Sequence, residues 1–502
     1  MMNQEIWLIS REYAGLAEAG GVKDVTRGLS RAWAKLGYPV HVVLPFYGFM
    51  VEKNLKMNQS FCSKITRNSI SYEYQIWNFD EEMIQFHLIK VPSIQSKMSV
   101  YTPSRLEAVE QGLVLGQGYP DSWLMNVEFQ ESFCQYITLI RSLRKVFIHL
   151  HDAHTALIPV ILRNTEEYKK KSSLFRFVLS IHNGGKAYQQ NLLLTDFIRE
   201  RLPLSKNIII QNEVNGWFFP LKAALPLVRL HTVSPGYAIQ LVEPLVNDNY
   251  AGDLPSWIQS AGVPIKGTYN GIDVLDWDPA FTFLPQFSFD PGKHDFMDKG
   301  LLKTWFLEEH CPEMIPHNLL FIVQTRLTHQ KGMHKLINVL PELFHELENW
   351  NLIVMGQGDQ GLESAFTEFS KTEVAQGRFR YFSFYREPWV KYLLGSGDYF
   401  LMPSDFEPCG LTDLMAMMMG TVPVVHGIGG LQKNISGVTS WVYNESQNQT
   451  LSETIRKIIQ SNQFSPDQRL DMASKGYQYV KDNFDWDQIL KDIFAPWFLQ
   501  ET

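Results

Sequence analysis

Glu407 is the residue around which chemistry could be built in this chain. It stands in Pro403-Ser404-Asp405-Phe406-Glu407-Pro408-Cys409-Gly410-Leu411-Thr412, after an apolar run, Tyr399 to Met402. A helix-like segment, Leu411 to Met419, follows; Gly420 stops it, and a second apolar run covers Val422 to Val425. The pattern predicts strand, loop, helix, strand, with Glu407 at the carboxyl end of a parallel strand, where α/β sheets bind ligands. Gly410 would let backbone approach a ligand closely, and the N–H groups at the helix start suit an anion. Arg326 and Lys331 form a second constellation, in the polar loop Thr325 to Gly332 behind the predicted strand Leu319 to Gln324. Two cations there suit a pyrophosphate, because each can neutralise oxygens of a leaving group. The plainer readings, a solvated carboxylate and two surface cations, stay open at this level.

Three other clusters invite chemistry. His149-Leu150-His151-Asp152-Ala153-His154 is rich enough in ligands to suggest a metal. Its aspartate falls one place early for the H-x-H-x-D-H motif, and no later His/Asp set completes a site. The expectation is therefore a strand end with polar ligand contacts and no metal. Gly356-Gln357-Gly358-Asp359-Gln360-Gly361 fits G-x-G-x-x-G, but it follows the second strand of its half and lacks a supporting acidic residue. A tight turn beside a nucleotide is expected there, rather than a dinucleotide site. Gly20-Gly21, between the first strand and the first helix, could cradle a phosphate without forming the full dinucleotide fingerprint.

The elements that must position these residues repeat. Ile6 to Ser10 reads as a strand, and Val22, Val25, Leu29, Trp33 and Leu36 mark a helix stripe ahead of a strand over Val40 to Leu44. Residues 50–125 look like hairpins and an excursion from the sheet, with a glycine-rich loop from Gly112 to Tyr119. Val127 to Leu143 reads as a helix and Val146 to His149 as a strand. Phe177 to Ile181 reads as another strand, ending in His182-Asn183-Gly184-Gly185. Leu221 to Leu230 reads as a helix, and His231 to Pro235 as a short strand and turn. The stretch 278–295, rich in Pro, Phe and Asp, reads as the linker. The second half restarts with Leu319 to Gln324 and a helix carrying Leu336, Val339, Leu340, Leu343 and Leu347. Gly429-Gly430-Leu431 forms a late glycine loop. Phe484 to Trp497 reads as an amphipathic helix with exposed aromatics that docks on a neighbouring element. Strand, loop and helix thus alternate in both halves, the doubly wound pattern.

Bulk composition excludes several classes. The 502 residues suggest two or three domains. The net charge of −8 gives no general pull toward nucleic acid. The four cysteines form no C-x-x-C pair, which suits reduced thiols in the cytoplasm. The chain enters a strand almost at once without a signal peptide, and no apolar run would span a bilayer. The aromatic content of 13% suits sugar-stacking surfaces as well as a large core.

Together these motifs resemble the bacterial glycogen and starch synthases, retaining glucosyltransferases. His149 to Thr155 resembles the family's H-A-H-D-W-H-A, Ile181-His182-Asn183 its I-H-N, and Val233-Ser234-Pro235 its V-S-P. Asn270-Gly271-Ile272-Asp273 with Trp277 resembles N-G-I-D with W-N-P. Arg326-Leu327-Thr328 with Gln330-Lys331-Gly332 resembles R-L-T-x-Q-K-G. Pro403-Ser404 with Phe406 to Thr412 resembles P-S-R-F-E-P-C-G-L-T, and Gly429-Gly430-Leu431 resembles G-G-L. The last two long motifs are specific, and the match runs from first strand to tail.

The resemblance implies an α/β fold of GT-B architecture, two Rossmann-like doubly wound domains facing a central cleft, with the C-terminal helix packing back on the N-terminal domain. Its domains would be 1–277 on the acceptor side, 278–484 on the donor side, and a crossing helix over 485–502. The implied activity is transfer of glucose from ADP-glucose to the 4-hydroxyl at an α-1,4-glucan end, with no cofactor beyond the donor. The implied partners are a nucleotide sugar and glycogen, with neither nucleic acid nor membrane. By position, Arg326 and Lys331 would hold the diphosphate, Glu407 would orient the glucose, and His154 would contact it near the reacting carbon. Gly20, Gly21 and Gly410 would approach the donor, Leu411 and Thr412 would reach it through backbone N–H, and His182 and Asn183 would line the acceptor side. Several positions depart from the family. Glu18 stands where the K-T-G-G-L lysine would face the donor phosphates, and a carboxylate there would repel them. Glu128 and Ser132 fall where the D-N-x-x-R-F aspartate and arginine would be. His426-Gly427 replaces the arginines before G-G-L, and the loop after I-H-N is longer. The alternatives are a GT-B glycosyltransferase with another donor or acceptor, or a non-catalytic glucan-binding relative.

Overall fold

The structure is a computed structural model that describes residues 4–500, except 54, 68–69, 141–144, 244–250, 282–285, 385–386 and 465. The chain divides into two units, Met1–Thr268 with Trp486–Thr502, and Tyr269–Asp485. The change of unit falls at 268/269, ahead of the expected 277/278. Ile272 N–H donates to Phe484 O at 2.9 Å, Lys391 Nζ to Asp276 O at 2.9 Å, and Tyr477 Oη to Asp278 at 2.7 Å. These bonds tie residues 272–278 to the second unit.

The first unit is built on a nine-stranded sheet. Its strands are β1 (Gln4–Ile9), β2 (Val40–Pro45), β3 (Asn58–Arg67), β4 (Ile70–Glu81), β5 (Ile84–Lys90), β6 (Lys145–His151), β7 (Phe175–Ile181), β8 (Arg229–Thr232) and β9 (Ile265–Gly267), in the order β9-β8-β7-β6-β1-β2-β5-β4-β3. All neighbours are parallel except the pairs β5–β4 and β4–β3, which form the antiparallel excursion expected between 50 and 125. β1 leads to β2 on one side and pairs with β6 on the other, so the strand order reverses between β1 and β6. Ligands bind at the carboxyl ends of strands at such a switch point. Helix α1 (Val22–Lys35) buries Val25, Leu29 and Trp33 of the predicted stripe.

Two helices differ from expectation. Helix α2 spans Ser122–Ile140 rather than starting at Val127; residues 141–143 lie outside the described residues. The helix read over Leu221 to Leu230 ends at Ala224, one turn of 3-10 helix follows, and Arg229–Thr232 is a strand beside β7. Pro226 withholds a backbone donor, and the β-branched Val228 favours extended chain.

The tail runs as helix over Trp486–Ile489, widens to a π-helix over Leu490–Phe494, and returns to α over Ala495–Phe498. It packs on the first unit, as expected, but its aromatics are not exposed: Trp486, Phe494 and Phe498 are buried. Gly28 of α1 leaves room for the Trp486 indole, and Phe498 meets Trp33 with ring centroids 5.3 Å apart. Burying three such rings stabilises the docking by roughly 2 kcal/mol each.

The second unit has a six-stranded parallel sheet: β10 (Leu319–Gln324), β11 (Trp350–Met355), β12 (Phe379–Phe382), β13 (Tyr399–Met402), β14 (Val422–His426) and β15 (Trp441–Tyr443), ordered β12-β11-β10-β13-β14-β15. Its order reverses between β10 and β13, which pair Phe321 with Tyr399. Helix α3 (Met333–Glu346) buries Leu336, Leu340 and Leu343, and the short α4 (Thr412–Met418) is buried from Asp413 onward. Each unit is a Rossmann-like doubly wound domain, the building block of a GT-B protein.

Candidate active site

In the second unit, the loops after β10 and β13 leave the switch point side by side. Backbone N–H groups of Asp405 and Phe406 donate to Gln330 O at 2.9 and 3.3 Å, and Gln330 Nε2 returns a bond to Phe406 O at 3.2 Å. Gly332 has φ +70°, and a Cβ there would overlap the Pro403 carbonyl oxygen. Glycine is therefore what lets the two loops touch. The result is that Lys331 Nζ sits 2.5 Å from Glu407 Oε2, with Ser404 Oγ at 3.3 Å from the same oxygen. Glu407 is 7% exposed, and Arg326 lies exposed at the end of β10. The His426 ring braces this loop by bonding Ser404 O at 2.9 Å. Gly430 N–H donates to Glu407 O at 2.7 Å from the late glycine loop. Gly410 takes φ +76°, and Leu411 and Thr412 follow it, half-buried.

The G-x-G-x-x-G segment lies against the same loops. Cβ atoms on Gly356 and Gly358 would overlap the carbonyl oxygens of Thr325 and Leu327. Leu327 N–H donates to Gln357 O at 2.9 Å, and Asp359 N–H to Leu327 O at 2.8 Å. These glycines serve close backbone packing around the Arg326 loop.

In the first unit, polar side chains gather at the ends of β1 and β6. His154 is buried, with its ring 5.0 Å from that of Tyr101. Burial, then the Arg11 guanidinium, holds its imidazole well below the usual value, so it is neutral at pH 7. Asp152 has φ +61° with ψ 179°, an almost glycine-only backbone state that costs another residue about 1–3 kcal/mol. Its carboxylate accepts the N–H groups of His182 at 2.7 Å and Asn183 at 3.4 Å, and burial pushes its pKa up to about 7. Asn183 Oδ1 accepts Gly185 N–H at 2.9 Å. His151 bonds His182 at 2.9 Å, while His149 and His231 bond Ser180 Oγ at 2.7 Å each. Phe494 of the tail stacks on His149 and meets His231 edge-on. Among the described residues no cluster of His, Cys, Asp or Glu is arranged to hold a metal ion.

Sequence reasoning missed Glu12. It is 2% exposed and lies beneath the glycine turn, where it accepts Gly20 N–H at 2.5 Å, Ala19 N–H at 3.2 Å and Tyr101 Oη–H at 2.8 Å. Burial outweighs these bonds and raises its pKa. The signal was there to read: a carboxylate directly behind the first strand of a parallel sheet. Tyr101 had no such signal, because only the fold brings it to β1. Gly21 opens α1, and Glu18 is exposed and accepts Gly15 N–H at 2.7 Å. Glu128 is buried, accepts Ser93 N–H at 3.2 Å and faces Arg201 at 3.7 Å.

With this geometry in hand, known proteins add the family. The starch synthase catalytic domain model matches residues 5–256, and the glycosyl transferases group 1 model matches residues 315–479. Among curated relatives, the glycogen synthase of Photobacterium profundum is 27% identical over 443 residues, covering 86% of this chain and 81% of its own. The glycogen synthase of Vibrio cholerae is 25% identical over 512 residues, covering 98% of both chains. Among solved structures, the catalytic domain of starch synthase IV from Arabidopsis thaliana, bound to ADP and acarbose, aligns with a TM-score of 0.83 at 20% identity over 99% of both chains. Sucrose-phosphate synthase from Thermosynechococcus elongatus aligns at 0.61 and 15% identity over 98% of both. These structural likenesses show a shared fold. The first match spans just over half of the chain, from β1 onward, and by it the chain belongs to the starch synthase catalytic-domain family.

Proposed function

We propose that this protein is a glycogen synthase-like hexosyltransferase that moves glucose from ADP-glucose to the non-reducing end of an α-1,4-glucan, with retention of configuration. The observation that carries this is the Lys331–Glu407 contact at the switch point of the second unit. A departing diphosphate and an oxocarbenium-like sugar both develop charge, and fixed cations and carboxylates stabilise them without reorganising. Lys331 and Arg326 take the diphosphate in this reading, Glu407 takes the glucose, and neutral His154 offers a hydrogen bond to the sugar. Gly410, Leu411 and Thr412 serve the donor, while His182 and Asn183 serve the glucan. Adenine is preferred as the donor's base because ADP is named with the Arabidopsis relative. Assays with and without EDTA test whether the two cations suffice without a cofactor. The four cysteines are free thiols, which supports a cytoplasmic setting; no described helix is long and apolar enough to cross a membrane.

Radiolabelled ADP-glucose and UDP-glucose, each supplied with glycogen, test the reading. Incorporation from ADP-glucose that fails in Glu407→Ala is expected, and no incorporation from either donor overturns the proposal. One observation favours the non-catalytic alternative: Glu12 accepts the Gly20 N–H of the turn expected to face phosphate, and Glu18, bonded to Gly15 N–H, places a second carboxylate two residues ahead of it. That alternative predicts glycogen binding without nucleotide release.

A further inference from the structure

Lys433, on the late glycine loop of the second unit, has no part in the reading so far. Its side chain is 1% exposed. Its ammonium donates to Cys409 O at 2.7 Å and Gly410 O at 2.9 Å, and pairs with Asp413 Oδ2 at 2.7 Å; Gly430 O lies at 3.3 Å. Asn434 Nδ2 donates to the same Asp413 oxygen at 2.8 Å. All three ammonium protons are therefore committed inside the protein. Apolar side chains of similar volume often fill such a site with equal or greater stability, so the buried pair asks for a reason beyond packing.

The reason lies in peptide geometry. A trans peptide points its C=O and N–H in opposite directions. By drawing the Cys409 and Gly410 carbonyls toward itself, Lys433 turns the N–H groups of Gly410 and Leu411 the other way. Gly410 permits this double convergence through φ +76°; a Cβ there would stand 2.7 Å from Leu431 Cδ2 and 3.0 Å from Lys433 Nζ. Neither N–H finds an acceptor among the described residues. Gly430, held to Glu407 O at 2.7 Å, joins the lysine's loop to the carboxylate's loop.

We propose that Lys433 is a positioning residue for the donor: without touching substrate, it aims the Gly410 and Leu411 amides at diphosphate oxygens. The proposal rests on the reading of this loop as the donor site. The double variant Asp413→Leu/Lys433→Met replaces the pair by apolar groups and keeps the fold. Isothermal titration with ADP should show Kd rising about tenfold, the worth of one to two weakened hydrogen bonds. kcat should fall about 100-fold, while KM for glycogen moves by less than about twofold and the protein stays folded, melting somewhat lower because the buried Cys409 and Gly410 carbonyls lose their donor. Lys433→Met alone should lose ADP affinity equally and melt lower than the double variant, because Asp413 keeps its buried charge with no cation beside it and, among the described residues, only the Asn434 amide as partner. A folded double variant with wild-type ADP affinity and kcat overturns this proposal alone. A wild-type protein that binds no ADP overturns the donor reading and this proposal together.

Discussion

The Lys331–Glu407 contact makes the sharpest prediction, because it can be removed from either side. Glu407 is 7% exposed and the Lys331 side chain 19%. Stripping one partner from a fully buried ion pair costs about 3–5 kcal/mol, and the partial opening of Lys331 to water lowers this to about 2 kcal/mol. The near-isosteric Glu407→Gln and Lys331→Met should therefore fold and melt only several degrees lower. Each removes a contact to a group that gains charge in the transition state, worth about 3 kcal/mol, so kcat should drop about 100- to 1,000-fold. The two side chains share one hydrogen bond, so losing either misplaces the other. The double variant should then be little worse than the poorer single, with a coupling of about 2 kcal/mol. The assay is radiolabelled glucose incorporation into glycogen, with thermal melts of all four proteins. A single variant retaining more than about a tenth of wild-type kcat refutes the reasoning, as does a double variant whose loss is the product of the singles, about 100,000-fold.

Further tests address the supporting geometry. Gly332→Ala should destabilise the protein by at least about 2 kcal/mol in urea unfolding, from the left-handed backbone and the overlap with Pro403; a neutral result would deny that the loops touch. Phe494→Ala should cost about 3 kcal/mol, as for other buried aromatics, and unchanged stability would mean that the tail does not dock. Burial holds His149, His151 and His231 well below the usual imidazole value, so they stay neutral when folded and gain protons on unfolding below about pH 6.5. Their stabilisation is full above that pH and is lost as pH falls, by about 1.4 kcal/mol per pH unit for each ring. Asp152, raised to about 7, opposes them by taking up a proton in the folded chain. Asp152→Asn should therefore steepen the acid loss between pH 6.5 and 5 by about 1.4 kcal/mol per pH unit in urea titrations, and an unchanged slope would contradict this. Glu18→Lys, at an exposed site, should lower KM for ADP-glucose while shifting stability by less than about 0.5 kcal/mol; a KM that does not fall would place Glu18 away from the donor.

Much of the architecture is legible in the residues. Strands buried on both faces must be apolar runs, so Tyr399 to Met402 and Leu319 to Gln324 stand where the runs are. Legibility fails where tertiary context decides. The apolar periodicity across Leu221 to Leu230 suits helix and strand alike, and pairing with β7 settles it. The tail aromatics read as exposed because nothing local announces the imidazoles they cover.

Outside such stretches as 221–230, the order of strand, loop and helix belongs to the sequence alone, and with it the strand ends that carry His154, Arg326, Lys331 and Glu407. Which of those ends meet is a property of strand order. Lys331 and Glu407 lie 76 residues apart and touch only because β10 and β13 are neighbours where the sheet reverses. Glu12 reaches Tyr101 across 89 residues in the same way. The free energy that selects these neighbours is spread over whole sheets and their covering helices, so no single stretch of residues carries it.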